Sequence, residues 1–386
     1  MNTYEENPRK YKLIATVTFG LEAIVKRELL ALGFEDLEVR DRKISFTGTA
    51  RDIARCNTWL RTAERVYLEV ASFKATSFEE LFRKTKAIPW QDYLPADAEF
   101  PVQGDSYRSK LFSISDSQAI VKKAVVESLK EHYGVEWFPE TGARYKLEVR
   151  LIDDIATITM DTSGAGLHKR GYRDRAGDAP LKETLASAMV QLSYWKPPRT
   201  LYDPFCGSGT ICVEAAMWAK NIAPGLDRDF DSMFWPFVGD SIYREVRKEA
   251  FQAIKSDVKL HILGSDIDKR SILRARDNAA NIGLSEDIQF FMKDMRDVDL
   301  HNDFGVVITN PPYGERIGEI KAVEQLYRDF GEKMLPLDTW SVYVLTSYGS
   351  FEKLYKKNAD RKRKLYNGRL KVDYYQFYGP KPGSRD

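Results

Sequence analysis

The chain has 386 residues, of which 43% are apolar and 30% charged, and its 59 basic residues nearly balance its 57 acidic residues. This composition excludes wholesale disorder and predicts two or three domains that bury a large core. The longest apolar runs are far below the ~18 residues of a membrane span, and residues 1–15 lack the apolar region of a secretory signal, so we expect a cytoplasmic protein.

The first 62 residues alternate between strands and helices. Residues 12–18 alternate and are β-rich, and residues 21–32 carry apolar side chains at helical spacing. A short hairpin over 38–46 and a second helix over 49–59 follow. This βαββα order predicts a ferredoxin-like module over residues 1–62.

A second α+β pattern covers residues 63–165. Strands are predicted over 65–72, 99–104, 144–151 and 155–161, and helices over 77–86 and 115–131. The stretch from Phe100 through Ser117 and Gln118 to residues 145–161 resembles a THUMP domain, an RNA-binding module of proteins that modify tRNA and rRNA. The resemblance implies that RNA is a partner. An ordinary α+β domain fits the same spacing.

Residues 166–180 are rich in glycine and basic side chains, which predicts a linker. Glycine beside clustered basic residues lets a backbone approach a polyanion closely. We therefore predict RNA contacts from the basic side chains of this linker: Lys169, Arg170, Arg173 and Arg175. A solvated connector explains the same residues equally well.

A strand, a glycine-rich turn and a helix follow over residues 200–220, as in the first βα unit of a doubly wound nucleotide-binding sheet. The turn lacks both the GxGxxG of a nicotinamide enzyme and the Gly-Lys-Ser/Thr of a P-loop. Residues 203–210, with the sequence DPFCGSGT, are similar to motif I of class I S-adenosylmethionine-dependent methyltransferases. Cys206 is interpreted as a small buried filler of the turn.

The motif I resemblance implies S-adenosylmethionine as the cofactor, with Asp203 toward its amino end. It also implies that the cofactor lies close to the turn, whose predicted binding residues are Pro204, Phe205, Gly207, Gly209 and Thr210. Residues 221–258 exceed what one crossover requires and contain an insertion, in which Trp235, Pro236 and Phe237 are expected to pack on the same domain.

Two further strand ends carry acidic residues. Asp266 ends the second strand, where a carboxylate accepts hydrogen bonds from a ribose diol. We predict that Asp266 and the following residue, Ile267, bind the cofactor. Asp294 matches the acid that contacts the cofactor adenine in the resembling family, and we predict that Asp294 and its neighbour Met295 bind the cofactor. For Asp266 the alternative is capping of the next helix. For Asp294 the alternative is an acid on a surface turn.

Residues 304–309 form an apolar strand that runs into Asn310, Pro311, Pro312 and Tyr313. The two prolines fix φ and remove two backbone donors, so that carbonyl oxygens point outward. With the Asn310 amide oxygen, they can hold a planar amine whose base stacks on Tyr313, and the hydrogen bonds aim the amine lone pair at an electrophilic methyl group. We predict that these four residues are catalytic. A simple turn is the alternative.

Asn-Pro-Pro-Tyr resembles motif IV of methyltransferases that act on exocyclic amines, namely N6 of adenine, N4 of cytosine, N2 of guanine or a glutamine amide. The resemblance implies that Asn310 also contacts the cofactor, and residues 314–316 continue the pattern of RNA guanine-N2 enzymes. A final hairpin over 364–377, with a type I′ turn predicted at Asn367 and Gly368, fits the antiparallel last strand of the class I methyltransferase sheet.

The last 36 residues, 351–386, hold 11 basic and four acidic residues. Lys362 and Arg363 are candidate RNA contacts there, and a solvated charged run is the alternative. Three scattered cysteines and four histidines without paired spacing predict that the chain binds no metal.

The predicted fold class is α/β. A Rossmann-like class I methyltransferase sheet over 166–386 follows the ferredoxin-like module (1–62) and the THUMP domain (63–165). The chain resembles the bacterial THUMP-containing enzymes that methylate guanine N2 in 23S rRNA, which favours rRNA over tRNA as the partner. Adenine-N6 methylation of RNA or DNA, and a module that binds S-adenosylmethionine and RNA without catalysis, are the alternatives.

Overall fold

The computed structural model describes residues 8–173, 181–314 and 320–383. They form two compact units. The first unit comprises the described residues up to Val17, Lys26–Leu167 and Arg228–Glu249, and the second comprises Thr18–Val25, the described residues of His168–Asp227 and those from Ala250 onward. The division into domains at residues 62 and 165 stays a prediction.

The regular elements follow one another from Tyr11 to Phe377. The strands are β1 (Tyr11–Val17), β2 (Glu38–Arg40), β3 (Lys43–Gly48), β4 (Ala63–Lys74), β5 (Val102–Tyr107), β6 (Leu147–Ile152), β7 (Ile155–Asp161), β8 (Leu201–Asp203), β9 (Ile262–Asp266), β10 (Ile288–Met292), β11 (Val306–Thr309), β12 (Ser341–Thr346), β13 (Arg361–Asn367) and β14 (Leu370–Phe377). The helices are α1 (Glu22–Ala31), α2 (Ala50–Trp59), α3 (Phe78–Lys86), α4 (Ile114–Tyr133), α5 (Glu183–Leu192), α6 (Thr210–Ala219), α7 (Gly239–Gln252), α8 (Lys269–Ala280), α9 (Ile320–Met334) and α10 (Phe351–Tyr355).

The first unit contains a seven-stranded sheet of order β2-β3-β1-β4-β7-β6-β5. Its neighbouring strands are antiparallel except β5 and β6, which are parallel. Side chains of β6 alternate between buried and more exposed, as expected of a sheet that packs on one face. The predicted strand over 99–104 begins three residues later, at Val102, because Pro101 has no N–H to donate to a ladder.

The insertion between β8 and β9 belongs largely to the first unit. Trp235 is fully buried and stacks on Tyr145, with ring centroids 5.0 Å apart and an interplanar angle of 13°. The Trp235 indole N–H donates to the Arg144 carbonyl at 2.8 Å, and the Ser232 hydroxyl donates to the Thr162 carbonyl at 2.9 Å. The expectation that this segment packs on the methyltransferase domain is therefore wrong.

The second unit contains the other seven-stranded sheet, of order β10-β9-β8-β11-β12-β14-β13. Its first five strands are parallel, and β14 pairs antiparallel with β12. Every residue of β11 and β12 is buried, as in a sheet covered on both faces. This topology confirms the Rossmann-like α/β fold with an antiparallel final strand. The strand order reverses between β8 and β11, which is where such sheets bind ligands.

The β13–β14 hairpin differs from its prediction by one residue. Asn367 pairs with Leu370, so the turn consists of Gly368 and Arg369. Gly368 has a φ of +62°, and Arg369 is not in the positive-φ region. A positive φ at the first turn residue alone is the pattern of a type II′ turn, so the predicted type I′ turn is wrong.

Within the described ranges, none of the helices combines the length and the apolar character needed to cross a bilayer. The same ranges contain no cluster of three or more histidine, cysteine or acidic side chains that could hold a metal ion.

Candidate functional site

Two loops leave the same edge of the second-unit sheet side by side, because β8 and β11 are parallel neighbours. The glycine-rich loop of residues 204–209 follows β8, and Asn310–Tyr313 follow β11. At their base, the Thr309 hydroxyl donates to Asp203 Oδ1 at 2.7 Å, and both residues are almost completely buried. The structure therefore joins the predicted cofactor loop to the predicted catalytic corner by a buried hydrogen bond.

The carboxyl group of Asp203 is an unusually weak acid. Its Oδ1 also accepts the Phe205 backbone N–H, at 3.2 Å. Burial raises the pKa of Asp203 to about 7, and the hydrogen bonds from Thr309 and Phe205 offset only part of this effect. Near neutral pH the side chain is thus poised between its charged and neutral forms, and a cationic group beside it would favour the carboxylate.

The two glycines of the loop are required for different reasons. Both have positive φ, +52° at Gly207 and +79° at Gly209. A Cβ at Gly209 would lie 2.7 Å from Cζ of Phe290, whereas a Cβ at Gly207 would have no neighbour within 4 Å. Gly209 therefore serves packing in the core, and Gly207 borders open space in which a ligand can lie against bare backbone.

Asp266 reaches back to the glycine-rich loop. Its Oδ2 accepts the Gly207 N–H at 3.0 Å, and its Oδ1 accepts the Asp268 N–H at 2.9 Å. A carboxylate offers about four lone-pair sites, so capacity remains for a ribose diol. Beside it, Ile267 presents an apolar side chain that is 73% exposed.

The alternative role for the acids at the end of β9 is capping of the next helix. In the structure Asp268, and not Asp266, caps that helix. Asp268 is the N-cap of α8 and accepts the N–H groups of Arg270 and Ser271 at 3.0 and 3.2 Å. These bonds lower the pKa of the Asp268 carboxyl.

The acid after β10 also acts as a cap in this structure. Asp294 accepts the Arg296 N–H at 2.9 Å and begins the short 3₁₀ turn Met295–Asp297. Its side chain is half-buried. The Met295 side chain is only 2% exposed and packs in the core with Tyr202. Cofactor contacts at these two positions stay predictions.

The remaining loop residues support the turn from within. Pro204 is buried, and the Phe205 ring is half-buried, 6.0 Å from that of Phe330. Cys206 is buried, and burial raises the pKa of its thiol well above the usual value. A thiol in this state is a poor nucleophile, which agrees with its interpretation as a filler.

The corner after β11 holds its own acceptors in a defined arrangement. The Tyr313 hydroxyl donates to Asn310 Oδ1. The Tyr327 hydroxyl donates to the Pro312 carbonyl at 2.7 Å and is also hydrogen-bonded to the Thr346 hydroxyl, at 2.9 Å. The expectation that both proline carbonyls point outward is thus corrected, because the second carbonyl is bound by α9.

The basic linker is only partly available to RNA. Arg170 is 3% exposed, and its guanidinium donates to the carboxylate of Glu214 at 3.2 and 3.3 Å. Its burial corrects the prediction of a phosphate contact, since Arg170 holds the linker against α6. Lys169 is exposed, and Arg175 lies outside the described residues.

Arg173 supports the glycine-rich loop. It donates to the hydroxyl of Thr210, the first residue of α6, and forms an ion pair with Glu183 at 3.3 Å. Its side chain is largely buried, 11% exposed, which makes a structural role at the start of α6 better supported than an RNA contact. Thr210 is itself 5% exposed.

The carboxyl-terminal candidates lie on the edge strand β13. Lys362 is paired with Asp373 at 3.3 Å and lies 4.7 Å from the centre of the Tyr375 ring. Arg363 is half-buried on the same strand. Lysine and arginine on an edge strand also prevent pairing with other chains, so RNA binding by these two residues stays a prediction.

Several residues that build the site were missed from the sequence. Thr309 could have been suspected from its place next to Asn310. Phe290, Tyr327 and Asn278, which donates to the Ser208 carbonyl at 2.9 Å, come from distant elements and carry no local signal.

Residues 170–376, more than half of the chain, match the family model described as RMKL-like, methyltransferase domain. The chain belongs to this family. Models of the RlmL ferredoxin-like domain and the THUMP domain match residues 12–67 and 75–161. Members of the RMKL-like methyltransferase family use S-adenosylmethionine, and together with the THUMP match this makes the protein an S-adenosylmethionine-dependent RNA methyltransferase.

Several relatives match nearly all of the chain. The "Putative RNA methyltransferase YpsC" of Bacillus subtilis is 51% identical over 372 residues, which cover 96% of each chain. A Listeria monocytogenes structure, described as a predicted N6-adenine-specific DNA methylase, is 50% identical with a TM-score of 0.93, covering 96% of this chain and 97% of that one. The structure of SMU.472 complexed with SAH is 43% identical with a TM-score of 0.92, covering 97% and 100%.

Proposed function

We propose that this RMKL-like enzyme methylates the exocyclic N2 amine of a guanosine in structured RNA, with 23S rRNA as the favoured substrate. The observation that supports the proposal is the Thr309–Asp203 hydrogen bond, because it joins the base of the proposed amine-binding corner to the base of the proposed cofactor loop. The THUMP match supports RNA as the substrate class.

The residues at the sheet edge fit S-adenosylmethionine. The open space at Gly207 admits a ligand against the backbone, and Asp266 has lone pairs left for the ribose. Ile267 offers an exposed apolar surface for the adenine. Asp294 would accept a hydrogen bond from the adenine amino group. Asp203 would pair with the ammonium group of the cofactor. The bound cofactor supplies an electrophilic methyl group on its sulfonium.

The corner at 310–313 orients the substrate amine. Asn310 Oδ1 and the Pro311 carbonyl would accept its two N–H groups, since the Pro312 carbonyl is already bound by Tyr327. An amide oxygen has two lone pairs, so Asn310 can accept from the substrate while Tyr313 still donates to it. That bond also steadies the Tyr313 ring on which the base would stack.

Acceptors at both N–H groups direct the amine lone pair toward the methyl group and stabilise the charge that develops on nitrogen. The amine proton becomes more acidic as the new bond forms, so no strong general base is required. The base must leave its stack to enter the corner, which implies extrusion of the nucleotide.

Adenine-N6 methylation is a second candidate. The acceptors of the corner suit both amines, and the Listeria monocytogenes relative is described as an adenine-specific DNA methylase. The THUMP domain argues for RNA over DNA. The motif continues at Gly314, Glu315 and Arg316, the last two of which lie outside the described residues. This continuation resembles guanine-N2 enzymes and favours guanine.

Methyl transfer from labelled S-adenosylmethionine to total rRNA, tRNA and DNA tests the proposal when the labelled nucleoside is identified by mass spectrometry. The native chain should yield N2-methylguanosine in 23S rRNA, and Asn310→Ala should abolish it. Asn358→Ala is the matched control because Asn358 is exposed and remote from the corner in sequence. Label in DNA alone, or N6-methyladenosine as the product, would overturn the guanine assignment. Absence of methyl transfer to rRNA, tRNA and DNA alike would overturn the assignment as an enzyme.

A further inference from the structure

An exposed apolar surface lies at one end of the first-unit sheet. Tyr107, Phe112, Ile152 and Ile155, which we name the strand-end patch, are 63%, 81%, 45% and 41% exposed. The strand register makes three of them neighbours, because Tyr107 pairs with Ile152 and Ile152 pairs with Ile155. Phe112 follows on the loop after β5. Exposed apolar patches mark interaction sites.

The loop that carries Phe112 is held firmly. The Asp154 carboxylate accepts the Lys110 N–H at 2.8 Å, and the Ser109 hydroxyl accepts the Asp154 N–H at 3.0 Å. The Ser106 hydroxyl donates to the Leu111 carbonyl at 2.7 Å. Phe112 is thus kept in water by an ordered loop, against the hydrophobic effect.

Cations surround the patch. Arg108 and Lys110 lie on the same loop, and Lys74 pairs with Ile155 in the sheet. The acidic neighbours are Asp105, which is exposed on the same face of β5 and lies opposite Arg150 in the strand register, and Asp153 and Asp154 of the turn between β6 and β7. Asp154 is engaged by the backbone N–H of Lys110.

The second acid of the turn, Asp153, offers little competition for a polyanion. Asp153 pairs with Arg108 at 3.1 Å, but the two side chains are 58% and 68% exposed. An ion pair this exposed is weak and exchanges readily with other partners. Arg108 can therefore turn to a phosphate group.

We propose that the strand-end patch binds unpaired nucleotides of the RNA substrate. Two bases would stack on Tyr107 and Phe112, with Arg108 and Lys110 at the phosphates. Aromatic rings beside basic side chains bind single strands with little sequence preference, because every base offers a flat face. The inference rests on the proposed RNA substrate, and it assigns the patch to RNA binding rather than to methyl transfer.

Binding of a fluorescent 12-nucleotide single-stranded RNA and of a duplex of equal length to the full chain tests this role without methyl transfer. The double variant Tyr107→Ala, Phe112→Ala should weaken single-strand binding about 10-fold or more and leave duplex binding unchanged. Tyr107→Phe should retain binding because the ring remains. Trp137→Ala is the control, since Trp137 is 75% exposed and follows the opposite end of the 20-residue α4, ~30 Å from Ile114.

In methyl transfer, the double variant should raise the KM for rRNA and leave kcat unchanged. Unchanged single-strand affinity in the double variant would overturn the inference while leaving the proposed function intact if rRNA is still methylated. A native chain that is dimeric by light scattering, with a monomeric double variant, would overturn it in favour of contact with a second copy. A native chain that binds the single strand but methylates no RNA would sink the proposed function and leave the patch as an RNA-binding surface.

Discussion

Gly207 and Gly209 provide a matched pair of substitutions that separates folding from cofactor binding. In Gly209→Ala the new methyl group lies 2.7 Å from Phe290 and 3.0 Å from the Ala275 side chain. Overpacking of this kind costs about 1–3 kcal/mol, and the left-handed backbone costs about 1–2 kcal/mol. The reduced entropy of the unfolded chain returns about 0.4–1 kcal/mol. We expect a net loss of about 2–4 kcal/mol in the stability of the second unit.

In Gly207→Ala the backbone cost is the same, but no packing cost arises because the Cβ faces open space. Stability should fall by about 1 kcal/mol or less, while the methyl group occupies the surface against which the cofactor would lie. Urea denaturation and calorimetric titration with S-adenosylhomocysteine measure the two effects. A Gly209→Ala chain as stable as the native one would refute the packing argument, and a Gly207→Ala chain with native affinity would refute the proposed cofactor position.

Three further outcomes follow from the geometry. Tyr327→Phe loses the hydrogen bond to the Pro312 carbonyl, which is worth about 1 kcal/mol. Steady-state kinetics should therefore show kcat reduced about 5–10-fold and an unchanged KM for S-adenosylmethionine. An unchanged kcat would contradict the positioning role of Tyr327. The pKa of Asp203 is raised to about 7, so the fraction of charged Asp203 grows as the pH rises toward 7. The affinity for S-adenosylhomocysteine, measured by titration calorimetry, should therefore increase between pH 5.5 and 7. Asp203→Asn should abolish this trend. Trp235→Ala removes a fully buried ring stacked on Tyr145 and should destabilise the first unit by about 3–5 kcal/mol; urea denaturation would show this, and native stability would contradict the packing described.

The sequence predicted those parts of the fold that depend on neighbours along the chain. The alternation of strands and helices, the glycine turn after Asp203 and the corner at Asn310 are local patterns, and the sheet order follows from how such units wind. The antiparallel last strand was likewise predictable because a short hairpin leaves no other pairing.

Features that depend on distant partners could not be predicted in this way. Arg170 looked like a phosphate contact because its neighbours are basic, but its partner Glu214 lies 44 positions away in an apolar helix. The pairing of Tyr327 with Pro312 likewise requires the packed position of α9. In both cases the side chain has several chemically reasonable partners, and only the tertiary structure selects one.

The insertion has a consequence for biosynthesis. The first unit needs Trp235 and Tyr243, whose hydroxyl receives a hydrogen bond from Asn57, yet both follow β8 in the chain. A ribosome delivers residues in order, and early domains generally fold as they emerge. Here the amino-terminal core has to wait, incomplete, until about residue 249 has left the exit tunnel, so nascent chains halted before that point should be the ones that proteases and chaperones engage.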